Sequence, residues 1–276
     1  MTINYYLCTM FKNFSKILVV FIATMLIFAS CSRYQRLLKS TDYELKYTEA
    51  IKYYKSEDYY RAKTLFEELI PIYRGTDKAE EIYYYYAYCN YNEGDHIIAG
   101  YYFKNFANMY PNSKHVEEAE YMSAYCAYLN SPEPELDQEY TYKAINQFQL
   151  FINKYPDSKY IPECNQYLDK LRKKLEDKAY INAKLYYNLG DYKAAVVVLE
   201  NTLNKYPDTS YREELMFINI KSHFKLAENS IASKQAKRYQ DTIDAYYNFI
   251  DEFPNSKYLK EAQKMYENSV KKLKKV

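Results

Sequence analysis

A chain of 276 residues that is 48% hydrophobic and 27% charged holds enough apolar material for a core, which excludes a disordered polymer. Only 4 glycines, beside 38 tyrosines and no tryptophan, argue against a strand-rich fold or a phosphate-cradling loop, since both need residues at positive φ. The net charge of +2 comes from Lys12 and Lys16 alone (38 basic residues less these two leaves 36, against 36 acidic), and a neutral body excludes nucleic acid as the main partner.

The first element is a targeting segment. Lys12 and Lys16 precede an apolar run from Ile17 to Phe28, which ends in Ala29-Ser30-Cys31. A basic flank, a short apolar stretch and small residues at its end predict a secretory signal peptide over residues 1–30. Twelve residues at about 1.5 Å rise span about 18 Å, too short for a hydrocarbon layer of about 30 Å. A start at Met10 leaves the same signal intact. The Ala29-Ser30-Cys31 junction resembles a bacterial lipobox, although Phe28 stands where leucine is usual. That resemblance implies acylation of Cys31, with residues 31–40 as a lipidated polar tether. Cys89, Cys126 and Cys164 then remain in the body, each in an apolar helical pattern where cysteine acts as a small hydrophobe.

The rest of the chain is punctuated. Tyr110-Pro111-Asn112-Ser113, Tyr155-Pro156-Asp157-Ser158, Tyr206-Pro207-Asp208-Thr209 and Phe253-Pro254-Asn255-Ser256 repeat one signal, and Tyr73-Arg74-Gly75-Thr76 is a worn first copy. Proline closes one helix, and the polar pair is predicted to cap the next. An acid stands five residues past each Ser or Thr, at Glu81, Glu118, Glu163, Glu214 and Glu261, where the positive end of a helix favours it.

Between these marks, Asn92-Glu93-Gly94-Asp95 and Asn188-Leu189-Gly190-Asp191 break helical patterns again. Ala87 and Ala183, seven residues upstream of the glycines, mark close helix approaches. Ala99, Phe103 and Phe106, like Ala195, Leu199 and Leu203, predict a buried stripe. The spacings between proline slots are 37 (Arg74 to Pro111), 45 (Pro111 to Pro156), 51 (Pro156 to Pro207) and 47 (Pro207 to Pro254). The 45 reflects an inserted loop from Asn130 to Gln138. The 51 reflects a first helix stretched from about Tyr160 to Leu189.

The order Ala-x6-Gly-Asp-Tyr-x2-Ala-x3-Leu-x7-Pro resembles the tetratricopeptide repeat, a helix–turn–helix unit. The expected fold is all-α: an α-solenoid of about five such hairpins plus a C-terminal helix, Tyr258 to Lys275. Its organisation divides into N-terminal repeats 1–3 (41–156) and C-terminal repeats 4–5 with the closing helix (157–276).

The lipobox, five long repeats, the proline-rich insert with Leu136-Asp137-Gln138 and Thr141, and Leu171-Arg172-Lys173-Lys174-Leu175 in the overlong helix together resemble the BamD (ComL-like) family of outer-membrane lipoproteins. The resemblance spans roughly Tyr43 to Lys275. It implies a non-catalytic scaffold of the β-barrel assembly machinery, anchored in the outer membrane through Cys31 and facing the periplasm. Its implied partners are a BamA-like barrel subunit, other components of that machinery and incoming unfolded outer-membrane proteins. Another tetratricopeptide envelope lipoprotein is the alternative, either an adaptor in cell-envelope constriction or peptidoglycan work, or a glycan binder. The first lacks a coiled-coil segment here and the second lacks tryptophan.

In the repeat frame, Tyr47, Tyr54, Tyr84, Tyr88, Tyr91, Tyr121, Tyr125 and Tyr128 are expected on the groove side of repeats one to three. Tyrosine gives rigid, amphipathic contact area suited to apolar peptide. An aromatic stripe at helical spacing is also what inter-repeat packing requires. Tyr83-Tyr84-Tyr85-Tyr86 cover a whole helix circumference, so some of these rings are expected to be exposed.

Chemistry is sparse. His96, His115 and His223 show no metal-ligand spacing, no nucleophile or phosphate motif occurs, and no catalytic residue, metal or cofactor is predicted. His96 is expected to be solvated at a helix start. Lys264, Lys271, Lys272, Lys274 and Lys275 suit the negative end of the closing helix.

Overall fold

A computed structural model describes residues 33–275; the signal peptide expected over 1–30 and the lipidation site Cys31 lie outside the described residues. Among the described residues all regular structure is helical. A helical stretch at 33–38 precedes α1 (Tyr43–Lys55), α2 (Tyr59–Ile72), α3 (Asp77–Asn92), α4 (His96–Met109), α5 (Val116–Leu129), α6 (Glu139–Lys154), α7 (Ile161–Asn188), α8 (Tyr192–Lys205), α9 (Arg212–Glu228), α10 (Ala232–Glu252) and α11 (Leu259–Leu273). These are the five helix–turn–helix units and closing helix that the punctuation predicts, including the 28-residue α7.

The turns explain the elements. Tyr110, Tyr155, Tyr206 and Phe253 each leave the helical region at φ between −124° and −127°, and each donates its N–H to the carbonyl four residues back. Proline follows in every case and cannot extend the ladder. The hydroxyl two residues after each proline does not cap the next helix as expected. Ser113, Ser158, Thr209 and Ser256 accept instead from the N–H two residues on, at 3.0 to 3.3 Å. Their short side chains tighten the connecting turn, and the helix begins one residue later still.

Within hairpins, Gly94 and Gly190 take φ of +85° and +78°, and Asp191 caps α8 by accepting from the Ala194 N–H at 3.1 Å. The first hairpin makes the same turn with Glu57 at φ +62°, followed by Asp58 capping α2. A side chain in this left-handed region costs about 1 kcal/mol more than glycine.

The chain divides into two compact units after Asn130. This point lies in the inserted loop, whereas the repeat punctuation divides the chain at 156/157; α5 therefore belongs to the first unit and α6 to the second. In the first unit, Leu65, Phe66, Leu69, Ile82 and Cys89 form a core to which Tyr34 and Leu37 contribute. Residues 33–38 are thus a docked helix and not the polar tether expected over 31–40. The buried Lys46 ammonium holds its end, donating to the Leu38 carbonyl at 2.9 Å. Gly100 of α4 lies so close to α5 that a Cβ there would stand 3.0 Å from that of Cys126.

In the second unit, Ala183, Ala195, Leu199, Leu215 and Ile218 form one core, and Phe217, Ile220, Tyr246, Phe249, Ala262 and Met265 form another. Ala87 and Ala183, expected at close approaches, are fully buried, as are Ala99, Phe103 and Phe106. Among the described residues, no helix is long and apolar enough to cross a membrane.

Candidate protein-binding surface

Tyr47, Tyr84 and Tyr121 recur every 37 residues (47 to 84, 84 to 121) on α1, α3 and α5. Tyr47 donates its hydroxyl to Glu81, Tyr84 to Glu118 Oε2 at 3.0 Å, and Tyr88 to Glu118 Oε1. In the second unit, Tyr180 donates to Glu214 Oε2 and Lys184 to Oε1, both at 2.9 Å. At Glu81, Glu118 and Glu214 the recurrent acid therefore does more than face a helix dipole: it accepts hydrogen bonds from the preceding repeat.

The residue three before that acid covers the same ring. Lys78 Nζ lies 4.7 Å from the Tyr47 centroid and His115 lies 4.3 Å from Tyr84. Tyr211 stacks on Tyr180 at 4.1 Å, and Tyr258 on Phe217 at 4.4 Å. One ring, one cover and one acid make a joint at Tyr47–Lys78–Glu81, Tyr84–His115–Glu118 and Tyr180–Tyr211–Glu214.

These joints feed an aromatic ladder along the first unit. Tyr54, Tyr85, Tyr84, Tyr88, Tyr91 and Tyr125 are successive neighbours at centroid distances of 4.5, 5.8, 4.9, 6.3 and 6.3 Å. Tyr121 and Tyr128 flank Tyr125 at 6.1 and 5.9 Å, nearly parallel to it. The structure thus brings seven of the eight candidate tyrosines into one network, and Tyr47 meets it beside Glu81, which Tyr85 also contacts.

Tyr121 is buried, and the other seven are half-buried. The rings of Tyr83 to Tyr86 are likewise all buried or half-buried, contrary to the expectation that some are exposed. The reason is that α3 has aromatic neighbours on several sides: Tyr83 and Tyr86 meet Tyr102, Tyr84 meets Phe106 and His115, and Tyr85 meets Phe66. Tyrosine tolerates this because its ring can be covered while its hydroxyl reaches a polar rim. Burial and the Glu118 carboxylate raise the phenols of Tyr84 and Tyr88 far above the ordinary value of 10.0, so they remain neutral donors.

The second unit presents different material. The insert is held by Gln138, whose amide donates to the carbonyls of Glu133 at 2.8 Å and Leu136 at 2.9 Å and accepts from Thr141 at 2.6 Å. From α7, Lys174 bonds Ser131, and Lys178 bonds the Pro134 and Leu136 carbonyls. Leu136, Tyr142 and Val197 stay exposed, and a cleft of about 290 Å³ is lined by Tyr142, Leu175, Lys178, Val198 and Tyr206.

Of the described residues, Cys89, Cys126 and Cys164 are buried in the helical core. Among the described residues, no group of three or more His, Cys, Asp and Glu could hold a metal ion. Burial raises the thiols of Cys89 and Cys126 to about 12 and that of Cys164 to about 11, which suppresses the reactive thiolate. His96 is not solvated as expected: its Nδ1 is buried without a hydrogen-bond partner and its ring lies 5.6 Å from Tyr91. Burial lowers the pKa of His223 below its usual value.

Helical hairpins of the tetratricopeptide type, tied by aromatic joints, define an all-helical repeat protein. The family model for YfiO, described as outer membrane lipoprotein, matches residues 40–239 and 186–275. The chain belongs to this family of outer membrane lipoproteins, the BamD/ComL-like family that the sequence motifs resemble. No curated protein matches it. Among solved structures, the TPR2AB domain of yeast Sti1 in complex with pHSP90 is similar at 13% identity and a TM-score of 0.38, covering 83% of this chain and 98% of that one. The TPR domain of P58(IPK) is similar at 15% identity and 0.40, covering 86% and 68%.

Proposed function

We propose that the protein is a non-catalytic, lipid-anchored scaffold of outer-membrane β-barrel assembly, facing the periplasm. Its first unit receives unfolded outer-membrane proteins on the tyrosine ladder. Its second unit holds a BamA-like subunit through the surface beside the insert. Membership of an outer membrane lipoprotein family supports the location, and the ladder of half-buried rings carries the binding reading. Half-buried aromatic faces in a rigid row offer apolar contact without demanding one peptide sequence.

Purification in mild detergent tests the assembly: a BamA-like barrel subunit co-elutes, and its absence overturns the reading. Cys31→Ala releases the protein from salt-washed membranes. Tyr88 is bound into the joint by Glu118, so Tyr91→Ala with Tyr125→Ala is the cleaner test of the ladder. This pair weakens crosslinking to unfolded barrel substrates at unchanged helicity. Unchanged crosslinking assigns the rings to packing alone.

A further inference from the structure

Residues 33–38 form a helix whose side chains sort by threes. Tyr34 and Leu37 point into the core of the first hairpin, at 7% and 8% exposure. Arg33, Arg36 and Lys39 keep the same three-residue spacing on the remaining surface, and all three are exposed.

The stretch is fixed from several sides. Lys46, itself 1% exposed and paired with Glu68, donates to the Leu38 carbonyl at its end. The Arg61 guanidinium lies 5.3 Å over the Tyr34 ring. Arg33 stands 3.7 Å from Glu49, which Lys52 already engages. Arg33, Arg36 and Lys39 thus gather three exposed basic side chains at this end of the first unit, on a mature chain whose basic and acidic residues balance overall.

Covalent geometry places this charge. Cys31 and Arg33 are two peptide units apart, so their α-carbons are separated by at most about 7 Å. Nothing between a lipid on Cys31 and the docked helix is long enough to act as a flexible leash. A fixed basic face this near an acyl anchor meets the headgroup layer.

We propose that Arg33, Arg36 and Lys39 form a docking face for anionic phospholipid headgroups, which sets the first hairpin against the bilayer. The proposal rests on the reading of Cys31 as lipid-bearing. Each basic side chain at an anionic surface adds about fivefold to binding, so three add about 100-fold. Screening by salt removes most of this.

The test uses the mature chain carrying Cys31→Ala, so that no acyl group contributes. Co-sedimentation is measured with vesicles of phosphatidylcholine alone and of phosphatidylcholine with 30% phosphatidylglycerol, chosen here as roughly an anionic membrane's charge. The expected result is association about 100-fold stronger with the anionic vesicles, lost in high salt. Arg33→Gln with Arg36→Gln and Lys39→Gln brings it to the neutral-vesicle level at an unchanged melting temperature. Equal binding to both vesicles, or anionic binding indifferent to the triple substitution, overturns the proposal. The mass of the N-terminal peptide of the native protein reports separately whether Cys31 is acylated, so the two readings fail independently.

Discussion

Tyr84 and Glu118 lie 34 residues apart in the chain and 3.0 Å apart in space, on the first helices of consecutive repeats. The same offset of 34 joins Tyr47 to Glu81 and Tyr180 to Glu214. The carboxylate is a periodic rivet between hairpins that cannot bury their apolar faces alone.

Glu118→Ala removes the acceptor of two phenols and is expected to cost about 2 kcal/mol, with Tyr84→Phe costing about 1 kcal/mol. Urea denaturation of both variants and their double mutant is the measurement. Single-mutant losses that add without coupling indicate that the bond does not tie the repeats together.

The turn at Glu57 gives the opposite sign. Glycine there relieves a left-handed side chain, so Glu57→Gly is expected to raise stability by about 0.5 kcal/mol, after allowing for the greater freedom of glycine in the unfolded chain. Gly190→Ala is expected to lower it by about 1 kcal/mol. A fall in melting temperature for Glu57→Gly removes the argument.

These two sites also show what the residues disclose. Helix ends were legible wherever proline wrote them, and α7 is only one residue shorter at each end than its expected span of Tyr160 to Leu189. The first hairpin turn was not legible because Glu57 occupies the slot that glycine fills at Gly94 and Gly190. The recurrent acids were visible, but a helix dipole explained them so readily that their tyrosine partners, a full repeat away, stayed hidden. Tyr34 and Leu37 form too short a pattern to announce a docked helix. The candidate tyrosines were visible as a set; how deeply they pack depends on neighbouring helices that no local period reports.

Gln138 is expected to govern the insert. Gln138→Ala strips partners from two carbonyls and the Thr141 hydroxyl, at a cost of about 2 kcal/mol. Limited proteolysis then cuts within residues 131–137 faster than in the parent chain. Equal cleavage rates mean that Lys174 and Lys178 suffice to hold the loop.

Acid is expected to loosen the joint at Glu214. Burial works to raise the pKa of this carboxyl, but hydrogen bonds from Lys184 and Tyr180 outweigh it and hold the pKa below the ordinary 4.5. A lowered folded-state pKa stabilises the fold above 4.5, and this contribution is lost as pH falls through the folded value. Both side chains are about a third exposed, so solvent screening keeps the contribution under about 1 kcal/mol. Lys184→Met should lower stability at pH 7 and flatten its decline below pH 4.5, as read by thermal melts across pH. An unchanged slope removes Glu214 from the acid response.

The buried thiols give the molecule three internal clocks. Cys89 on α3, Cys126 on α5 and Cys164 on α7 are free and shielded from solvent. A maleimide can label each only during the moments when its own helix parts from its neighbours. Mass spectrometry of peptides sampled over time would therefore time the breathing of individual repeats, with no residue changed.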